Sequence, residues 1–183
     1  LEGNGPLKET YDKIYKDLRL DEKSFEKAEI IMQHDAIDIL FKKTLEIESN
    51  IDMVFAGDLI NQVVITNYTL RDYNIPFCGI YGACSTSVLS LLMASLQIDG
   101  NNAKNIICMT SSHNGASERQ FRNPTEYGGA KANTSTFTVT GACAALVSNK
   151  KSKIKITRGT MGRVIDVSFK DQFDMGRAMA PAA

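Results

Sequence analysis

Residues 75–96 read IPFCGIYGACSTSVLSLLMASL, and this stretch decides the fold. The part up to Tyr81 is short and apolar, as in a buried strand, whereas Val88 to Leu96 is apolar on nearly every side, as in a buried helix. Cys84 lies in the turn between them. It therefore faces the N–H groups and the positive dipole end of the helix, which favour a thiolate and bind anions. A small buried cysteine at a tight packing point is the alternative interpretation.

The composition is typical of a single globular domain. The chain has 183 residues, of which 43% are hydrophobic and 23% are charged. Its 21 basic and 21 acidic residues cancel, so bulk charge does not indicate nucleic-acid or membrane-surface binding. No apolar run reaches the ~18 residues of a membrane-spanning helix. The cysteines lack C-x-x-C spacing, which favours a reducing compartment over a disulfide framework or a zinc site.

Outward from the turn, strand-like and helix-like segments alternate along the chain. Helices are predicted over residues 24–45, 61–73 and 84–100, with Ser24 as a cap. Strands are predicted over residues 51–56, 75–81, 105–109, 136–148 and 154–167, and a polar loop over 110–114. This order predicts an α/β domain with a mixed sheet and helices on both faces.

Candidate binding residues follow the predicted strands, because ligands of open α/β sheets bind at the carboxyl ends of strands. Three segments converge there and supply a thiol, hydroxyls, an imidazole, a carboxylate and amides. The candidates are Asp58, Gln62, Cys84, Ser85, Thr86, His113 and Asn114. A helix cap is the alternative role for Asp58, and an exposed loop position is the alternative for His113.

The turn at 82–87, followed by an apolar helix, is similar to the nucleophile turn of thiolases and ketoacyl synthases. The wider pattern resembles one narrower family, stage V sporulation protein AD, thiolase-like proteins of spore-forming bacteria. The matching stretches include residues 5–7, 24–29, 56–62, 82–87, 110–114, 120–122, 124–129, 138–142 and 173–183. They occur in the family's order over nearly the whole chain.

The resemblance implies a thiolase-like fold of two similar α/β halves. Residues 1–183 are expected to form a single truncated half-domain, most of the first half, without a strand before Leu1 and without the second half. The implied role is a non-catalytic subunit that binds dipicolinic acid, a pyridine dicarboxylate, for uptake into the developing spore. The implied partners are the other proteins of the spore uptake apparatus, some of them membrane-spanning, with this chain peripheral at the spore inner membrane.

The chemistry of dipicolinate fits the candidate residues. One carboxylate of this flat dianion can bind at the helix start around Ser85 and Thr86. Arg119 or Arg122 can pair with the second carboxylate. Asp58 is expected either to bond the backbone or to hold a calcium ion, if the calcium chelate is what binds. Cys84 is then a wall of the pocket, and no resident cofactor or metal is expected.

Two further expectations come from the thiolase-like families. An acyltransferase with Cys84 as nucleophile is the alternative function, although the histidine partners of such enzymes come from the second half of the fold. A purely structural interaction module is a third hypothesis. In thiolase-like proteins a strand pairs with its copy across a two-fold axis, and residues 105–109 are the segment expected to do so. This predicts a homodimer centred there.

Overall fold

A four-stranded mixed sheet organises the computed structural model, which describes residues 3, 5–121, 138–168, 170 and 175–180. The strands are β1 (Met53–Gly57), β2 (Phe77–Gly79), β3 (Asn105–Ser112) and β4 (Gly141–Ser148). They lie in the order β2-β1-β3-β4. β1 pairs in parallel with both β2 and β3, whereas β3 and β4 are antiparallel. The mixed sheet is therefore confirmed.

The helices that the structure describes are α1 (Phe25–Thr44), α2 (Val64–Leu70), α3 (Thr86–Asp99), α4 (Asn114–Phe121) and α5 (Met175–Met179). Helix α1 begins where the sequence predicts, because the Ser24 hydroxyl accepts a hydrogen bond from the Lys27 backbone N–H at 3.3 Å. It ends at Thr44, and the next residue, Leu45, has a left-handed φ of 56°. None of these helices is long and apolar enough to cross a lipid bilayer.

Helices cover both faces of the sheet. Val54 and Ala56 of β1 point towards the side where α1 and α2 pack, and Phe55 points towards α3 on the other side. This follows from the period of two along a strand, and it explains why the strands read as nearly continuous apolar runs. The α/β class with helices on both faces is thus confirmed.

Several local predictions are wrong. Residues 110–112 continue β3 instead of opening a loop, because they pair with residues 141–143 of β4. Residues 154–167 form no strand, since no described strand pairs with their backbone groups. The helix predicted over 61–73 is a 3-10 turn, Asn61–Val63, followed by the shorter α2.

The predicted centre of a dimer is also wrong. β3 lies inside the sheet, with β1 along one edge and β4 along the other. Its backbone N–H and C=O groups are therefore used on both sides, and residues 105–109 cannot pair with a second copy. Dimerisation itself stays a prediction and requires another surface, such as an outer strand of the sheet.

Candidate functional site

The turn that carries Cys84 begins with a strained residue. Ala83 has a φ of 48°, a left-handed conformation that L-residues rarely adopt and that is found at functional turns. The 3-10 turn Ala83–Ser85 leads directly into α3. The Cys84 thiol is free and exposed, and so is the Ser85 side chain. The interpretation of Cys84 as a buried packing residue is therefore wrong.

The two hydroxyls of the turn hold it in shape. Ser85 Oγ donates to the Gly82 carbonyl at 2.7 Å. Thr86 Oγ1 donates to the Ala83 carbonyl at 2.9 Å and accepts from the Gly82 N–H at 3.0 Å. Because Thr86 is buried, it braces the turn and is not accessible to a ligand. Ser85 stays at the surface beside Cys84.

The end of β1 packs directly against this turn. A Cβ at Gly57 would lie 2.0 Å from the Ile80 carbonyl oxygen and 2.9 Å from Thr86 Cγ2. Only a residue without a side chain allows strand and loop to approach this closely. The position of Cys84 therefore depends on Gly57.

Asp58 is a buried brace and not a ligand group. Its Oδ1 accepts from the Ile60 N–H at 2.9 Å. Its Oδ2 accepts from the Thr66 N–H at 2.8 Å and from Thr66 Oγ1 at 2.7 Å. Burial raises the pKa of Asp58, although these hydrogen bonds oppose the shift. Both oxygens are used within the chain, which corresponds to the backbone-bonded role and leaves neither oxygen for a calcium ion.

The loop after Asp58 adds a second strained segment on the same sheet edge. Gln62 and Val63 have φ values of 64° and 55°, and a β-branched residue is seldom found there. Gln62 is exposed. The exposed Tyr81, which the sequence analysis did not single out, precedes the Cys84 turn. Burial raises the pKa of Tyr81, and the nearby Cys84 and Asp58 add to the shift.

His113 lies on the α1 side of the sheet and is fully buried. Its Nε2–H donates to the Leu18 carbonyl at 2.7 Å, and its Nδ1 accepts from the Gly115 N–H at 3.0 Å. The ring stacks on Phe25 with 4.9 Å between centroids. Burial lowers the pKa of His113, so the ring is neutral. The expected exposed loop position is therefore wrong, and both ring nitrogens are engaged within the chain.

Asn114 and Arg119 are also engaged away from the Cys84 turn. The Asn114 backbone N–H donates to Thr140 Oγ1 at 2.9 Å, and its side-chain Nδ2 donates to the Thr138 carbonyl at 3.3 Å, which ties α4 to the residues before β4. Arg119 Nη2 donates to Glu26 Oε1 of α1 at 2.7 Å. Neither side chain is thus brought to the proposed ligand. Arg122 lies outside the described residues.

The sequence analysis missed a chain of buried polar side chains between α1, α2 and β3. Gln33 Nε2 donates to Thr66 Oγ1 at 3.0 Å and to Ser111 Oγ at 2.7 Å, and Ser111 Oγ donates to Glu29 Oε1 at 2.6 Å. Through Thr66 this chain reaches Asp58. Burial raises the pKa of Glu29 to about 8. The sequence offered one signal for these buried side chains: Glu29 and Gln33 are polar residues four positions apart beside the apolar face of α1.

Comparison with known proteins assigns the chain to a family. The family model for stage V sporulation protein AD matches residues 1–183. The chain belongs to the stage V sporulation protein AD family. Stage V sporulation protein AD from Bacillus subtilis (strain 168) is 47% identical over 182 residues, which cover 100% of this chain and 54% of that protein. The chain thus spans about half the length of this member of the stage V sporulation protein AD family.

Solved structures of ketoacyl synthases share the fold of this stage V sporulation protein AD family member. β-Ketoacyl-[acyl carrier protein] synthase III from Thermus thermophilus matches with a TM-score of 0.52 and 10% identity, over 68% of this chain and 38% of that chain. A 3-oxoacyl-(acyl-carrier-protein) synthase III matches with a TM-score of 0.51 and 16% identity, over 68% and 36%. The thiolase-like fold is thereby confirmed. At these identities the likeness shows the fold alone.

Proposed function

We propose that the chain is part of a non-catalytic subunit that binds dipicolinate for uptake into the developing spore. Its family has a sporulation-associated role. The observation that carries the proposal is the strained turn at Ala83, which presents Cys84 and Ser85 at the exposed start of the 14-residue helix α3. The positive dipole end of such a helix suits a carboxylate.

The second carboxylate of dipicolinate is assigned to neighbours on the same sheet edge. Arg119, the candidate from the sequence, is paired with Glu26 on the α1 side. We therefore assign this carboxylate to the amide of Gln62 and the hydroxyl of Tyr81, both of which can donate a hydrogen bond. The free dianion suits this edge better than a calcium chelate, because both oxygens of Asp58 are engaged.

The thiol has no histidine partner in this chain. The sequence contains two histidines. His113 uses both ring nitrogens at Leu18 and Gly115, and His34 bonds the Tyr73 hydroxyl at 3.1 Å and lies 3.5 Å from Asp72. Acyl transfer needs a base or acid beside the nucleophile. Acyl transfer through Cys84 would therefore need a base or acid from outside this chain.

The partners and the location belong to the same proposal. We propose that the protein acts peripherally at the spore inner membrane, together with the other proteins of the uptake apparatus, some of them membrane-spanning. The membership of a sporulation family supports this context. Because the Bacillus subtilis relative is nearly twice as long, the tests below use the longest natural form of the protein.

Truncation of the thiol should weaken dipicolinate binding. We expect Cys84→Ala to reduce the affinity roughly five- to tenfold, because about 1 kcal/mol of contact is lost at the pocket wall. Cys84→Phe should abolish binding, since the larger ring fills the site. Isothermal titration calorimetry with dipicolinate measures both effects. Cys143→Ala, which removes an exposed thiol on β4, is the matched control and should bind as the wild type does.

Mass spectrometry after incubation with an acyl-thioester separates this proposal from the acyltransferase alternative. We expect no acyl group on Cys84. Stoichiometric acylation of Cys84, or equal dipicolinate affinity in the wild type and Cys84→Phe, contradicts the binding proposal.

A further inference from the structure

A cavity of about 660 Å³ lies on the α1 side of the sheet, away from the Cys84 turn on the α3 side. Residues 10–20, which we call the strap, form its roof, α1 forms its floor, and residues 139–144 at β4 form one wall. None of the residues of the Cys84 turn or of the Asp58 loop lines it. The cavity is therefore a second concave site, and its size falls within the ~300–1,000 Å³ of small-molecule pockets.

Hydrogen-bonded ion pairs hold the strap on α1. Asp35 Oδ2 accepts from Lys13 Nζ at 2.5 Å and from the Tyr15 hydroxyl at 2.6 Å. About two helical turns further on, Lys43 Nζ lies 2.6 Å from Asp12 Oδ1. The strap thus closes the cavity at two points along α1.

These pairs neutralise four of the six charged side chains that line the cavity, whereas Asp17 accepts from the Arg19 and Leu20 backbone N–H groups and Lys16 is exposed. Although burial acts in the opposite direction, the hydrogen bonds from Lys13 and Tyr15 hold the pKa of Asp35 below its usual range. A charged ligand bound among these four side chains would have to break a pair or leave its own charge unpaired. Much of the remaining wall is apolar, including Ile14, Met32, Ala36, Ile39 and Ala142.

We infer that the strap cavity binds an uncharged, mainly apolar small molecule. The apolar wall gains from burying carbon surface, and the two ion pairs between the strap and α1 present no unpaired charge to a ligand. β4 has one strand neighbour in the described part of the chain, so the peptide groups along its other edge can bond a single polar atom of the ligand. The inference does not depend on the proposed function, because the two sites share no residue.

Titration with N-phenylnaphthylamine, an uncharged apolar dye that fluoresces in apolar surroundings, tests the inference in the longest natural form of the protein. We expect a saturable rise in fluorescence. Ala142→Phe fills the cavity from β4 and should weaken dye binding at least about tenfold. Ala145→Phe, on the opposite face of the same strand and outside the cavity lining, should leave dye binding unchanged.

Two further measurements keep the test decisive. Ala36→Phe fills the same cavity from α1 and should also weaken dye binding, so it replaces Ala142→Phe if that variant does not fold by circular dichroism. Saturating dipicolinate should not displace the dye, which separates this site from the Cys84 turn. Unchanged binding in both cavity variants, or loss of binding in Leu96→Ser on the exposed face of α3, overturns the inference.

Discussion

Replacing Glu29 with glutamine should stabilise the protein at pH 8 and leave its free energy of unfolding at pH 5 nearly unchanged. Glu29 is fully buried, and its Oε2 has no hydrogen-bond partner in the described structure. Burial therefore raises the pKa of Glu29 from its usual value near 4.5 to about 8, and the neighbouring charge of Asp58 adds to the shift. A neutral amide copies the protonated acid, since it keeps an acceptor for the Ser111 hydroxyl.

The direction in which stability changes with pH follows from the different protonation of Glu29 in the folded and unfolded states. Below pH 4.5 the folded and unfolded states both carry the proton on Glu29, so the stability that the protonated side chain contributes is fully present. Between 4.5 and about 8 the unfolded chain releases that proton and the folded protein keeps it, so stability falls as pH rises. The loss is about 1.4 kcal/mol per pH unit, or roughly 4 kcal/mol between pH 5 and 8. Above the folded pKa the loss stops growing.

Urea unfolding at a series of pH values measures this difference. The free energy of unfolding of Glu29→Gln minus that of the wild type should grow from about zero at pH 5 to several kcal/mol at pH 8. Asp38→Asn, on the exposed side of the same helix, is the control and should show no such growth. A difference that stays flat across this range would mean that Glu29 is ionised in the folded protein.

Replacing Gly57 with alanine should destabilise the protein by about 2–4 kcal/mol and remove dipicolinate binding at the Cys84 turn. The added Cβ meets the Ile80 carbonyl oxygen at 2.0 Å, and no side-chain rotation relieves a contact with backbone. Either β1 and β2 separate or the loop from Ile80 to Thr86 shifts. Both movements displace Cys84 from the start of α3.

The control for Gly57→Ala is a glycine on the outer strand β4. Gly141 is the first residue of β4, and a Cβ added there would meet no atom within 4 Å. Gly141→Ala should therefore be neutral or stabilise slightly, by less than about 1 kcal/mol. Urea midpoints and calorimetry with dipicolinate compare the two variants. Equal stability and equal affinity in both would show that the close approach at Gly57 is not required.

Local chemistry explains which elements the sequence predicts well. The start of α1 depends on Ser24 and the residues next to it, and the end of α3 on the backbone around Gly100. The hydrogen bonds of the Cys84 turn likewise join residues only a few positions apart in the sequence. The strand predicted over residues 154–167 is wrong because alternation describes a surface suited to a sheet, whereas a strand forms only if a neighbour supplies backbone partners.

The candidate site was predicted less well, because its residues depend on partners that are distant in sequence. His113 bonds the carbonyl of Leu18, 95 positions away, and the Ser111 hydroxyl bonds Glu29, 82 positions away. No local pattern reports such contacts, so a buried histidine and an exposed one look alike in the sequence. The strained φ values at Ala83, Gln62 and Val63 are equally invisible, since none of these residues is a glycine.

The buried polar chain also has a direction. Gln33 stands at its centre and gives its two amide hydrogens to Thr66 and Ser111, and each hydroxyl passes its own hydrogen outward to an acid. Deamidation of Gln33 would turn this amide, which donates to both hydroxyls, into a carboxylate that can only accept. Two hydroxyls would then have to reverse their orientation beside three carboxyl groups. The shape of the sheet edge that carries Asp58 therefore depends on Gln33 remaining an amide.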